Sequence, residues 1–260
     1  IINFLKGNLF YFMKKKLLFF IFLLLHLNSY SQKVGEAVYS IKLAEDDFEF
    51  DATLLFESSK SIFSYKKFNK NPWKVKSNEL IQTVYSDSIG HIYYRNNEKF
   101  YVRQYCSKNE VYIYEDFIQF NWNITEDEKI IDGLICKNAT TTFRGRSYNV
   151  WFSPAIPTNC GPWKFHGLPG IIVSVTDSKS DVVIRLNSVD ILKGNTKKVE
   201  FPFNSSIIER NEFEKCLQKS WNNDLKRTLA KLEGVKAKYP NLEIDIDIPH
   251  ERPKTELDVE

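Results

Sequence analysis

Cys160 and His166 stand six residues apart on one stretch of chain, where a thiol and a base could together do nucleophilic chemistry. The pairing is a weak signal, because an exposed thiol outside the cytoplasm would tend to oxidise. Arg144 and Arg146 flank Gly145 just before a strand-like run, where two guanidiniums could clamp an anion bidentately. A solvated surface pair is the simpler reading of these arginines. Asp46-Asp47, Glu115 with Asp116, and Glu126-Asp127-Glu128 could in principle perform the acid–base work of glycoside hydrolysis, but adjacent acids in turns are nearly always solvated. Among the histidines, His91, His166 and His250 show no i, i+4 pair of the kind that holds zinc on a helix, so no metal centre is expected. No Gly-rich phosphate loop and no Gly-x-Ser-x-Gly elbow is present, and neither a cofactor nor a catalytic residue is assigned.

Four cysteines, Cys106, Cys136, Cys160 and Cys216, allow three pairings. A Cys136–Cys160 bond would pin a loop to the preceding strand; Cys216 is then a buried thiol, or else the partner of Cys106.

The start of the chain bears on where these thiols reside. Met13 is the only methionine, followed by Lys14, Lys15, Lys16 and the apolar run from Leu17 to Leu27. A charged segment, an apolar segment and the small residues before Gln32 make Met13 to Ser31 a secretory signal peptide, with cleavage after Ser31. The run is shorter than the roughly 20 residues of a membrane span, and no cysteine stands at the expected cleavage point for lipid attachment. Ile1 to Phe12 precede the methionine and are expected to lie upstream of the true start. The mature chain is expected to be soluble and periplasmic or secreted. The full chain has 36 Lys+Arg against 33 Asp+Glu, and removing Ile1 to Ser31, with four lysines and no acids, leaves 32 against 33. No basic surplus remains to bind phosphate backbones, so nucleic acid is not an expected partner.

The elements that must position these groups are mainly β. Aromatic residues make up 15% of the chain and favour half-buried pleated surfaces. Period-2 windows run over Ala37 to Leu43, Ala52 to Glu57, Ile62 to Tyr65, Leu80 to Tyr85, His91 to Arg95, Lys99 to Arg103 and Val111 to Tyr114. Further windows cover Phe120 to Trp122, Leu134 to Thr142, Arg146 to Phe152, Ile171 to Thr176 and Val182 to Asp190. Their spacing predicts an antiparallel meander. Between Glu209 and Lys238, apolar residues recur every three or four positions, which predicts one amphipathic helix or two consecutive ones, with Trp221 on the buried stripe and an early break at Gly234. Leu242 to Ile248 alternates as a last strand, and the tail after Pro249 is polar. One domain over residues 32–248 is expected, with 249–260 a flexible tail.

From Trp151 the chain reads Trp-Phe-Ser-Pro-Ala-Ile-Pro-Thr-Asn-Cys-Gly-Pro-Trp-Lys-Phe-His-Gly-Leu-Pro-Gly-Ile-Ile-Val. This resembles the GLPGLI family of Bacteroidota, whose hexapeptide here is Gly167-Leu168-Pro169-Gly170-Ile171-Ile172, with Ile171 in place of leucine. Gly161-Pro162, Ile156-Pro157, Trp151, Cys136 and the Gly145-Arg146 pair extend the match. The resemblance implies an exported protein of unknown function related to the bowl-like N-terminal domain of a secreted peptide N-glycanase, an accessory domain without the glycanase active site. Asp87-Ser88-Ile89 is similar to a Bacteroidota O-glycosylation acceptor, with Ser88 as the modified residue.

Glycine freedom at Gly167 and Gly170 and the fixed φ of Pro169 make Ser153 to Gly170 a long, stiff loop entering a β-branched strand. The expected architecture is a strongly curved antiparallel sheet, a bowl or half-barrel, with a C-terminal helix. The expected function is non-enzymatic: a concave face rimmed by this loop binds an apolar ligand, a peptide or an envelope partner through Trp151, Trp163, Phe165, His166, Arg144 and Arg146. The bland account has Trp163, Phe165 and Leu168 plugging the core. The alternatives are an exported hydrolase or protease using Cys160, His166 or an acid pair, and a scaffold docking an outer-membrane barrel.

Overall fold

The period-2 windows become strands nearly where the alternation places them. The computed structural model describes residues 34–43, 49–66, 87–97, 99–107, 110–192 and 197–239. Six strands come first: β1 (Gly35–Lys42), β2 (Phe50–Phe56), β3 (Lys60–Tyr65), β4 (His91–Asn96), β5 (Lys99–Ser107) and β6 (Glu110–Asp116). Five more follow as β7 (Asn123–Ile131), β8 (Leu134–Phe143), β9 (Arg146–Ser153), β10 (Ile171–Asp177) and β11 (Val183–Ile191). The short β12 (Ile207–Glu209) leads into α1 (Arg210–Lys238), the one helix among the described residues. No helix among the described residues is long and apolar enough to cross a membrane.

The strands form one open sheet in the order β12-β6-β5-β4-β3-β2-β1-β11-β10-β9-β8-β7, antiparallel except where β12 runs parallel to β6. Two meanders are thus joined by the pairing of β1 with β11. That topology compels curvature. β6 and β7 lie ten strand spacings apart in the sheet, about 48 Å if it were flat. The segment joining Asp116 to Asn123 can span at most about 25 Å. The sheet therefore curls until its two arms face each other, and the mainly β, strongly bent architecture expected from the sequence is what the chain builds.

Local chemistry fixes the register. The β7–β8 hairpin turns on Asp132-Gly133 (φ 47° and 79°), and the β8–β9 hairpin on Arg144-Gly145 (φ 48° and 72°). Two consecutive positive φ values are the mark of the two-residue turn whose twist suits antiparallel strands. β1, β2 and β3 then alternate buried and less buried residues along their whole length, so one face of each meets the interior. On the outer face of β3 to β6, Val199 and Phe203 from the segment after β11 cover Ile92, Tyr94 and Ile113.

Some expectations need correction. Phe120 to Trp122 is a connection, not a strand, and the acids Glu126-Asp127-Glu128 lie within β7 instead of a turn. α1 continues through Gly234 to Lys238. It buries only Phe213, which stacks on Tyr114 with ring centroids 4.6 Å apart, while Trp221 is half-buried and outside the core. The signal segment Met13 to Ser31, the strands expected at Leu80 to Tyr85 and Leu242 to Ile248, and the tail from Pro249 lie outside the described residues.

Candidate functional site

The loop from Pro154 to Gly170 decides what the curled sheet can hold, because it folds into the interior. Its backbone closes on itself: Gly167 N–H donates to Asn159 O (2.9 Å), Phe165 N–H to Pro162 O (3.0 Å), and Cys160 bridges His166 antiparallel. Gly167 is needed for a positive φ of 91°. Gly170 is needed for close approach, since a Cβ there would strike the backbone of Ser153 and Pro154. Trp163, Phe165 and Leu168 are all buried among the core residues of β1 to β10. Phe165 meets Tyr148 and Trp163 edge-on, with centroids 5.0 and 5.9 Å away, and Trp163 meets Tyr93. The concave face is therefore filled by the chain's own aromatics. The expectation that Trp163 and Phe165 line an open mouth for an apolar ligand is corrected: they plug the bowl.

The charged candidates are likewise engaged inside the fold. Arg144 donates to both oxygens of Asp116 (2.7 and 3.0 Å), and Arg210 at the start of α1 reaches the same carboxylate at 3.2 Å. Arg146 pairs with Asp177 (2.7 Å) and Asp181 (3.1 Å). Neither arginine is a surface residue offered to an outside anion. Lys164 lies within 4.2 to 5.9 Å of the ring centroids of Phe143, Tyr148, Trp163 and Phe165. Burial, then the nearby Arg144, push its ammonium well below the usual lysine range against the pull of Asp116.

The thiol and the imidazole are each engaged by other groups and not by one another. Cys160 Sγ accepts from Arg95 (3.4 Å) and donates toward the carbonyls of Glu57 and Lys60, whereas His166 Nδ1 faces the Lys164 carbonyl (3.1 Å). His166 packs between Phe100 and Phe120, and burial brings it down to about 4. The disulfide joins Cys106 on β5 to Cys216 on α1, and Cys136 and Cys160 are both buried free thiols, so the Cys136–Cys160 bond is not formed. Glu110 lies beside Cys106 and Cys216, but two sulfurs joined to each other offer no thiolate to a metal. Ser88 sits on an exposed turn whose Asp87 caps the amides of Ile89 (2.8 Å) and Gly90 (2.7 Å).

A concave site does exist, on the opposite side of the sheet. Along β9, Tyr148, Val150 and Phe152 point inward, so Ser147, Asn149 and Trp151 point outward. Cross-strand pairing extends each of these into a row. Asn123, Thr140, Asn149 and Thr176 align across β7, β8, β9 and β10. Asn138, Trp151 and Ser174 form the next row, and Thr142 pairs with Ser147 beyond. Asn138 donates to Asn149 Oδ1 (2.5 Å), which orients that amide. Lys129 enters from β7 and rests its ammonium 3.9 Å from the centroid of the Trp151 ring. With Asn138 buried behind them, the others of these residues line a groove of about 740 Å³. Trp151 is the member of the expected ligand-binding set that the groove contains; Thr140, Asn149 and Thr176 were not anticipated. Their signal was present in the outward positions of the same alternating windows that gave the strands.

No protein-family model and no curated protein matches the chain. Among solved structures, the fold is similar to PNGF-II in one crystal form at TM-score 0.50 and 16% identity, over 72% of this chain and 34% of that one. A second crystal form of PNGF-II gives TM-score 0.48 at 16% identity, over 72% and 33%. The chain thus spans about a third of the length of PNGF-II. At this identity the likeness establishes the fold alone.

Proposed function

We propose that this chain is an exported, non-catalytic binding module whose outer groove over β7 to β10 takes a saccharide. The carrying observation is the composition of one sheet face: hydroxyls and amides of Thr140, Ser147, Asn149, Ser174 and Thr176 in aligned rows beside the indole of Trp151, sunk in a concavity of about 740 Å³. A sugar ring offers an apolar C–H face to an aromatic plane and a fringe of hydroxyls to amides and hydroxyls, which is the pattern of these rows. Binding is favoured over catalysis because the one carboxylate in the groove, Asp177, is buried and held by Arg146 and by the amide of Val182 (2.9 Å). Support for export comes from the apolar leader and from the Cys106–Cys216 bond, which suits an oxidising compartment. The resemblance to the GLPGLI family and the shared fold with part of PNGF-II, a peptide N-glycanase, fit an accessory module near glycans.

The test is a saccharide-binding panel read by calorimetry on the parent chain, Trp151→Ala and Asn149→Leu. Retention of at least one oligosaccharide, weakened tenfold or more by each substitution at unchanged melting temperature, is expected. No binding, or binding indifferent to both substitutions, rejects the reading.

A further inference from the structure

The groove carries one presented charge. Of its lining residues, only Lys129 and Asp177 are ionic. The Asp177 side chain is 1% exposed and is tied to Arg146, which also holds Asp181, so its carboxylate is not presented to the groove. The surrounding Asn, Ser and Thr side chains are neutral, so among the lining residues Lys129 alone presents a cation to the groove. That ammonium has no carboxylate within ion-pair distance among the described residues, and Glu128 beside it is paired with Lys137 (3.3 Å). Its contact is the Trp151 ring, at 3.9 Å.

From this placement we infer that the groove selects acidic saccharides, those bearing a carboxylate or a sulfate, and that Lys129 is the specificity-determining residue. The inference rests on the groove being a saccharide site. A sugar ring that stacks on Trp151 must move the ammonium off the indole. A cation over an exposed ring is weakly held, whereas the same cation against an anion gains a charge-assisted hydrogen bond. A neutral sugar therefore displaces Lys129 and returns nothing, while an acidic sugar exchanges a weak partner for a stronger one. Lys129 both occupies the stacking platform against neutral rings and rewards acidic ones, so the two classes should respond to its removal with opposite signs.

The experiment measures calorimetric Kd for trigalacturonic acid, for its neutral methyl ester and for a sulfated disaccharide with its desulfated form, on the parent chain, Lys129→Gln and Lys129→Arg. The parent is expected to bind an acidic form about tenfold tighter than its matched neutral form at 20 mM salt. At 500 mM salt the gap should close to threefold or less, because the groove is open to solvent. Lys129→Gln should weaken the acidic ligand and bind the neutral one as well as the parent or better; Lys129→Arg should keep the preference. A preference confined to the sulfated or to the carboxylated ligand supports the inference and names the source of the anion. Neutral and acidic forms bound equally by the parent, or a preference that survives Lys129→Gln, overturn the inference and leave the saccharide site standing. No saccharide bound at all overturns both.

Discussion

Asp116→Asn should unclasp the curled sheet at the cost of a large share of its stability. Asp116 ends β6 and Arg144 sits on the β8–β9 turn, far apart in strand order, yet the two meet through two bonds of 2.7 and 3.0 Å. Their side chains are 5% and 8% exposed, so the pair is screened little by solvent. The amide of asparagine keeps the shape and removes the charge, leaving Arg144 buried without its counter-ion. Breaking one side of a buried pair costs about 3–5 kcal/mol, against a total of about 5–15 kcal/mol for an ordinary domain. Arg210 loses less, because Glu214 stays on it at 2.8 Å. Urea unfolding followed by circular dichroism should show the midpoint falling by about 1 M or more with little change in slope. Replacing both partners, as in Asp116→Leu with Arg144→Met, should recover most of the loss, since the charge of Arg144 is no longer stranded and Arg210 keeps Glu214. A single variant within about 1 kcal/mol of the parent, or a double variant as damaged as the single, would refute the clasp.

His166 is held neutral at about 4 in the fold against 6.5 when exposed, so the unfolded chain binds its proton first; stability should fall as pH drops from about 6.5 toward 4, by up to roughly 3 kcal/mol. His166→Gln should flatten that part of the pH–stability curve, and an identical slope in variant and parent would count against it. The Cys106–Cys216 bond closes a separation of 110 residues, so Cys106→Ser with Cys216→Ser should lower stability by about 3–5 kcal/mol in thermal melts, with α1 loosened first; an unchanged melt contradicts this. Gly170→Ala should be worse than Gly133→Ala, because the first drives a Cβ into the Ser153 backbone while the second meets no atom within 4 Å. The expected losses are about 2–3 kcal/mol for the clash and about 1–2 kcal/mol for the positive φ at Gly133. The reverse order in chemical denaturation would refute the packing argument.

Much of the fold was legible because alternation is a local property. β1 to β6 and β8 to β11 follow from period-2 windows, and the helix from residues recurring every three or four positions. β7 was missed because its acids read as a solvated turn, although Asp132-Gly133 is a hairpin signal that requires a strand on each side. Curvature follows from the topology, since a six-residue link between the two arms cannot reach across a flat sheet. The site was less legible. Aromatic richness looks the same whether the rings line a cavity or fill it; only the fold of 154–170 into the interior distinguishes the two. The buried partners of Arg144 and Arg146 lie 28 and 31 residues away, a separation no local pattern encodes. The groove rows depend on register across four strands, so Thr140, Asn149 and Thr176 become neighbours only once pairing is known.

The most direct test of the account is an amide and indole chemical-shift map of the isotope-labelled chain titrated with an acidic oligosaccharide. Shifts concentrated on Thr140, Asn149, Trp151 and Thr176, with the Trp151 indole moving most, are what the groove predicts. Shifts centred on Trp163 and Phe165 in the interior, or no saturable shift at all, would contradict it.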